Sequence, residues 1–182
     1  LQFNATCTDS DGNSCLCADM NACGKCGDNC EVTYPDEYIA LWQLSYTVEY
    51  FDAACTQIDD YGSDEATEYI DFQSDGWYDL YSDCGGSPSD ECNKFSSEWA
   101  VNEDGAFCLR PPGDGDGNNS KWECSIYNDI EGQSQQLQLR FQPEDGSCYE
   151  MAFDKLCNDV DDDSLCFCRD IDFCGVCEGD NS

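Results

Sequence analysis

The chain has 182 residues, with 40 acidic side chains against seven basic ones, no histidine, and a formal net charge of −33. That charge excludes nucleic acid and anionic membrane surfaces as partners on Coulomb grounds. No apolar run approaches the roughly 18 residues needed to span a bilayer, and the absence of histidine removes Ser-His and Cys-His nucleophiles and histidine-ligated catalytic metals.

Seventeen cysteines make the chain cysteine-rich enough to read as a disulfide scaffold. CxC and CxxC steps can also bind zinc. The lack of histidine, the spread of cysteines through the middle, and two N-glycan sequons at Asn4 and Asn118 favour oxidised sulfur and a secretory route. Leu1-Gln2-Phe3-Asn4 carries no translation start or leader, so the chain is expected to be a mature form or a fragment.

In chain order, residues 1–33 form a first Cys-rich module with Cys7, Cys15, Cys17, Cys23, Cys26 and Cys30. Its Asp9-Ser10-Asp11-Gly12-Asn13 places oxygen ligands at alternate positions, as at the start of an EF-hand loop, so Asp9, Asp11 and Asn13 are candidate calcium ligands. Residues 34–156 can bury a core. Strict alternation over Trp42–Tyr50 predicts a half-buried strand. Shorter strands are predicted at Tyr69–Phe72, Trp77–Tyr81, Trp99–Val101 and Ala106–Leu109. The last two flank Asn102-Glu103-Asp104-Gly105, a hairpin turn.

Asp114 and Asp116 repeat the acidic-glycine pattern ahead of Asn118 and are further calcium candidates. Trp122, Cys124 and Ile126 alternate. Leu137, Leu139 and Phe141 do so too, and after the turn-forming Pro143–Ser147 come Tyr149, Met151 and Phe153, giving a predicted hairpin. Residues 157–182 form a second Cys-rich module with Cys157, Cys166, Cys168, Cys174 and Cys177, in which Asp159, Asp161 and Asp163 are again calcium candidates. The two modules share a frame: C-x-D-x-D, C-x-C-x-D, then C-G-x-C and Gly-Asp-Asn.

About eight short strands without a helical stripe predict an antiparallel sandwich, jelly-roll-like, between two small disulfide modules of little regular structure. The central cysteines are Cys55, Cys84, Cys92, Cys108, Cys124 and Cys148. Those within strands, such as Cys108 and Cys124, are expected to face the core or link sheets. Cysteines divide six, six and five among the three segments, so one is expected to be unpaired, to pair between chains, or to meet a partner beyond Ser182. The pairing within each segment stays open.

Trp77, Tyr78, Tyr81, Trp99 and Trp122 form a candidate carbohydrate platform, although alternation assigns about half of such rings to the core. With 40 acids a catalytic carboxylate pair leaves no signal, and no Gly-rich phosphate loop is present, so the chain does not read as an enzyme.

Phe173-Cys174-Gly175-Val176-Cys177-Glu178-Gly179-Asp180-Asn181-Ser182 resembles the C-G-V-C-x-G-D-N-S element of extracellular Cys-rich modules. That element occurs beside thrombospondin repeats in secreted metalloproteases and as tandem copies in surface proteins of algae and other protists. The likeness covers only the two ends. It implies an extracellular disulfide module, and the missing zinc-binding histidines set aside the protease. The cassettes are also similar to EGF-like modules, differing in placing CxC ahead of CxxC. The flagellar-hair (mastigoneme) proteins of heterokont algae carry such repeats and are the nearest whole-protein analogy.

The reading is a secreted, glycosylated, structural subunit of an extracellular filament or cell-surface coat, self-associating head to tail through its similar ends. Calcium and N-linked glycans are the expected cofactors, and other surface glycoproteins or polysaccharide the expected further partners. The alternative is a calcium-dependent carbohydrate-binding or adhesion module of a larger surface protein. An acidic, mineral-associated matrix protein is a third reading, from charge alone.

Overall fold

The computed structural model describes residues 6–16, 19–27, 30–52, 54–62, 67–84, 92–111, 121–131, 135–142, 147–158 and 165–167. Among them there is no α-helix. β1 (Thr6–Thr8) and β2 (Ser14–Leu16) form a small hairpin. The remaining strands are β3 (Leu41–Tyr50), β4 (Ile58–Gly62), β5 (Thr67–Phe72), β6 (Trp77–Cys84), β7 (Asn93–Val101), β8 (Phe107–Leu109), β9 (Glu123–Glu131), β10 (Gln136–Phe141), β11 (Cys148–Asn158) and β12 (Leu165–Phe167).

β5 to β11 pair antiparallel, each with the next, and β3 pairs with both β5 and β11. The sheet therefore closes on itself as an eight-stranded antiparallel barrel. β4 lies on the same side of β3 as β5, against Thr47–Tyr50, while β5 takes Leu41–Gln43. The all-β expectation holds, but the sandwich does not. Alternation reports that one face of a strand is buried, and sandwich and barrel bury one face alike. The pairing of the first barrel strand with the last makes the difference, and it removes the sheet edges.

An eight-stranded barrel has an interior just wide enough for side chains to fill. Here Trp42, Ile70, Phe72, Tyr78, Trp99, Val101, Phe107, Leu137, Leu139, Phe141 and Phe153 fill it, and Tyr38 joins them from the segment ahead of β3. The indole N–H of Trp42 donates to the carbonyl of Tyr38 (2.9 Å), and Asn128 Nδ2 donates to the Tyr38 hydroxyl (2.9 Å), so the plug is hydrogen-bonded as well as packed. The expected strand at Trp42–Tyr50 and both expected hairpins are present. Bulges interrupt β3 against β11 and β9 against β10.

One ion pair on the outer face is built around a buried acid. Glu150, almost buried, accepts from Arg140 Nε (3.0 Å) and Nη2 and from the Tyr46 hydroxyl (3.2 Å). The Arg140 guanidinium also lies over the rings of Tyr50 (6.0 Å) and Tyr127 (5.5 Å).

Five disulfides have both partners described: Cys15–Cys26 and Cys23–Cys30 in the first module, and Cys55–Cys148, Cys84–Cys92 and Cys108–Cys124 in the barrel. Cys7, Cys157 and Cys166 are also disulfide-bonded. Cys108 and Cys124 do not face the barrel core or link two sheets, as their strands led one to expect. They sit opposite each other on β8 and β9 and bond across that pair, on the face that the N-terminal module covers. Disulfides persist in oxidising compartments, and these pairs fit an extracellular or secreted protein. No helix of the described residues is long and apolar enough to cross a membrane. Cys17, Cys168, Cys174 and Cys177 lie outside the described residues.

Candidate functional site

The site grows from a loop that occurs four times among the described residues. In Asp9–Asn13, Asn21–Lys25, Gln73–Trp77 and Asn102–Ala106, the first N–H donates to the fifth carbonyl and the fourth N–H to the first carbonyl. The fourth residue is always glycine, at φ of +67° to +87°. That left-handed conformation costs an L-residue about 1–2 kcal/mol. In three of the loops the first side chain adds two acceptor bonds. Asp9 Oδ1 takes the N–H of Asp11 and Asn13, Asn21 Oδ1 those of Cys23 and Lys25, and Asn102 Oδ1 those of Asp104 and Ala106. Short side-chain acceptors compete well for backbone donors in such turns.

In the Asp9 loop the side chain is tied further into the fold. Asp9 is buried, and its second oxygen accepts from Asn13 Nδ2 (3.1 Å) and Cys26 N (3.1 Å). The hydrogen bond from Asn13 leads the causes that hold its carboxyl below the usual range. Asp9 and Asn13 are therefore brought together by hydrogen bonding, while Asp11 is exposed. Among the described residues no group of three or more acids and cysteines is arranged to hold a metal. Asp114, Asp116, Asp159, Asp161 and Asp163, and the sequon residues Asn4 and Asn118, lie outside the described residues.

The Asn21 loop docks the first module on the barrel wall. Ala22 is buried against Ala100 and Cys108. Its carbonyl accepts from Asn102 Nδ2 (3.3 Å), and Cys124 Sγ lies 3.2 Å away. Lys25 Nζ reaches Glu103 (2.6 Å), and Thr33 and Val101 exchange backbone hydrogen bonds of 2.9 Å each.

Beside this contact, module and barrel line two neighbouring hollows, together called the cleft. The first, about 340 Å³, is lined by Asp19, Asn21, Tyr34, Asp75, Trp77, Glu98, Arg110 and Trp122, among others. The second, about 580 Å³, is lined by Thr6, Thr8, Asn21, Gly24, Asn102, Lys121 and Trp122, among others. The hollows share Met20, Asn21, Ala22 and Trp122. Both volumes lie within the roughly 300–1,000 Å³ typical of small-molecule sites.

Each wall residue is held from behind. Trp99, fully buried, donates its indole N–H to the Gln73 carbonyl and its backbone N–H to the Gly76 carbonyl, both at 2.9 Å, so it fixes the loop that carries Asp75 and Trp77. The Tyr34 ring meets Trp99 edge-on at 5.5 Å. Asp75 Oδ1 accepts the Trp77 N–H (3.2 Å). Arg110 Nη1 pairs with Glu98 at 2.6 Å, and its guanidinium lies 5.8 Å from the Trp122 ring. From inside the barrel the Tyr78 hydroxyl donates to the Arg110 carbonyl (2.9 Å). Burial pushes that hydroxyl's pKa up to about 12.

The five expected platform rings thus separate. Tyr78 and Trp99 belong to the core. Tyr81 is on the outer wall with Lys94 over its ring (5.5 Å). Trp77, 47% exposed, and Trp122 line the cleft. Tyr34, 37% exposed, was missed by periodicity because it sits on no strand. No signal in the sequence marks it; in the structure it lies over Gly76, where an added Cβ would fall 2.7 Å from the Tyr34 Oη. The chemistry on offer is aromatic faces beside carboxylates, a carboxamide and a guanidinium. Compared with known proteins, the chain matches no family model, no curated protein and no solved structure.

Proposed function

We propose that this chain is an extracellular carbohydrate-binding, adhesive module that holds its sugar in the cleft between the N-terminal module and the barrel. The observation that carries the reading is a set of three rings, Tyr34 and Trp77 exposed and Trp122 half-buried, around a hollow that also offers Asp19, Asn21, Asp75 and Glu98. A pyranose has an apolar C–H face that stacks on an aromatic ring and a rim of hydroxyls that pair with carboxylates and amides. Large exposed rings beside convergent polar groups mark binding surfaces more often than scattered ones do. The disulfides support an extracellular setting.

The test is a titration of the protein with a panel of soluble oligosaccharides, read by tryptophan fluorescence and calorimetry, with and without calcium. Saturable binding is expected, and Trp77→Ala should weaken it at least about tenfold, or about 1.4 kcal/mol. Phe51→Ala, exposed and outside the cleft wall, should leave it unchanged. Failure of every sugar to bind, or equal binding by Trp77→Ala, refutes the reading. A calcium requirement is an independent arm of the same titration.

A filament subunit is the second reading, favoured by one observation. β1–β2 and β11–β12 are matching ladders in which Cys7 faces Cys15 and Cys157 faces Cys166. Similar ends suit a heterologous contact that does not close. Ordered polymers of native material, lost on treatment with chelator plus reductant, would favour it; polymers that survive both treatments would count against it.

A further inference from the structure

Resting on the sugar-binding reading, we infer that the ligand is an extended, uncharged glycan chain that crosses both hollows, rather than a single sugar or a polyuronate. Trp122 lines both hollows, with Trp77 in the wall of the first and Lys121 in the wall of the second. A ligand confined to one sugar ring would leave one of the hollows unused.

The cleft is preformed. Ala22, which lines both hollows, is pinned by the Asn102 hydrogen bond and by packing on Ala100 and Cys108, and the Cys15–Cys26 and Cys23–Cys30 bonds hold the module that supplies it. A rigid wall spares the ordering cost of binding, so each added sugar contributes contacts without new loss of chain freedom. Affinity should therefore climb with chain length until both hollows are filled, and then level.

Charge sets the second half of the inference. The first hollow presents Asp19, Asp75 and Glu98, of which Arg110 offsets only Glu98. The whole chain carries −33. A polyuronate brings one carboxylate per sugar into that field, where like charges about 4 Å apart repel by about 1 kcal/mol in water and about 4 kcal/mol at an effective dielectric of 20. A neutral or N-acetylated chain meets none of this.

The experiment titrates the intact, oxidised protein with one- to six-residue oligosaccharides of neutral glucan, mannan, xylan and chitin type, and with oligogalacturonates of the same lengths. For at least one neutral series the affinity should rise tenfold or more from one to four residues and then flatten. Thr8→Trp, which fills the second hollow, should remove that rise, and Phe51→Ala, exposed and outside both hollows, should leave it in place. Oligogalacturonates should bind at least tenfold more weakly at low salt, and the gap should narrow in 1 M NaCl, where the Debye length is about 3 Å, and in Asp75→Asn. Asp75→Asn keeps the side-chain oxygen that accepts the Trp77 N–H. Sugar binding with no length dependence, with an unchanged rise in Thr8→Trp, or with equal affinity for uronates overturns this inference alone. No binding by any series overturns both it and the sugar-binding reading.

Discussion

Gly76→Ala is the sharpest test of how the loop geometry builds the cleft. Gly76 has φ +87°, and a Cβ there would lie 2.7 Å from Tyr34 Oη and 2.8 Å from Tyr34 Cε1 and Cζ. Two penalties follow. Left-handed backbone costs a non-glycine residue about 1–2 kcal/mol. The clash is relieved by swinging Tyr34 outward, which gives up its edge-on contact with Trp99 at 5.5 Å, worth about 0.5–1.5 kcal/mol. Gly105→Ala is the matched control: the same position of the same loop, φ +79°, and nothing within 4 Å of the added methyl. Denaturant unfolding under oxidising conditions should place Gly105→Ala about 1–2 kcal/mol below the parent and Gly76→Ala lower by a further 0.5–1.5 or so. Only Gly76→Ala should also weaken sugar binding, because Tyr34 leaves the wall. Equal destabilisation of the two variants with unaltered binding by Gly76→Ala would refute the reasoning.

Asp71 faces Asp79 directly across β5 and β6. Burial first, then the Asp79 charge, raises the Asp71 carboxyl above its ordinary value, so its ionised form is disfavoured in the fold. Its contribution to stability is therefore full below the unfolded pKa of about 3.9 and is lost as pH rises through the folded value. Asp71→Asn should stabilise the protein at pH 7 by about 0.2–1 kcal/mol, the scale of a cross-strand like-charge pair, and thermal melts should show the gain vanish toward pH 4. For Asp79 burial pushes up, but hydrogen bonds from Ser96, Lys94 and Gln73 outweigh it and hold the carboxyl low. Asp79→Asn should destabilise at pH 7, and that loss should fade as pH falls through the native carboxyl's lowered range; stabilisation at pH 7 would contradict the assignment. Removing Cys55–Cys148, 93 residues apart, should cost about 4–5 kcal/mol on chain entropy, against about 2.5 for Cys84–Cys92, eight apart. Urea melts of the two double alanine variants check the order, and a larger loss for the short loop would reverse it.

Disulfide scaffolding, an all-β core and the positions of most strands were legible from residue type and alternation. The central cysteines also pair among themselves, as six of them in one segment allow. The N-terminal half of β7 and all of β4 were not legible. Lys94-Phe95-Ser96-Ser97 and Ile58-Asp59-Asp60 carry too few apolar residues to alternate. The Asp9 loop showed its carboxylates plainly but not the hydrogen bonds that Asp9 makes. An aspartate three residues before a glycine has the same pattern whether it accepts from N–H groups or coordinates a cation, and only the folded loop reveals the four N–H donors around it.

Composition by itself determined that covalent bonds must help hold so acidic a chain together, because that follows from charge repulsion and sulfur count without any contact map. Tertiary structure alone decided that β3 meets β11 and closes a barrel, that Tyr34 joins Trp77 and Trp122, and that Ala22 seats on the wall beside Cys108–Cys124. Each of these joins residues tens of positions apart, and a two-residue period says which face of a strand is buried but never which distant strand or loop will cover it.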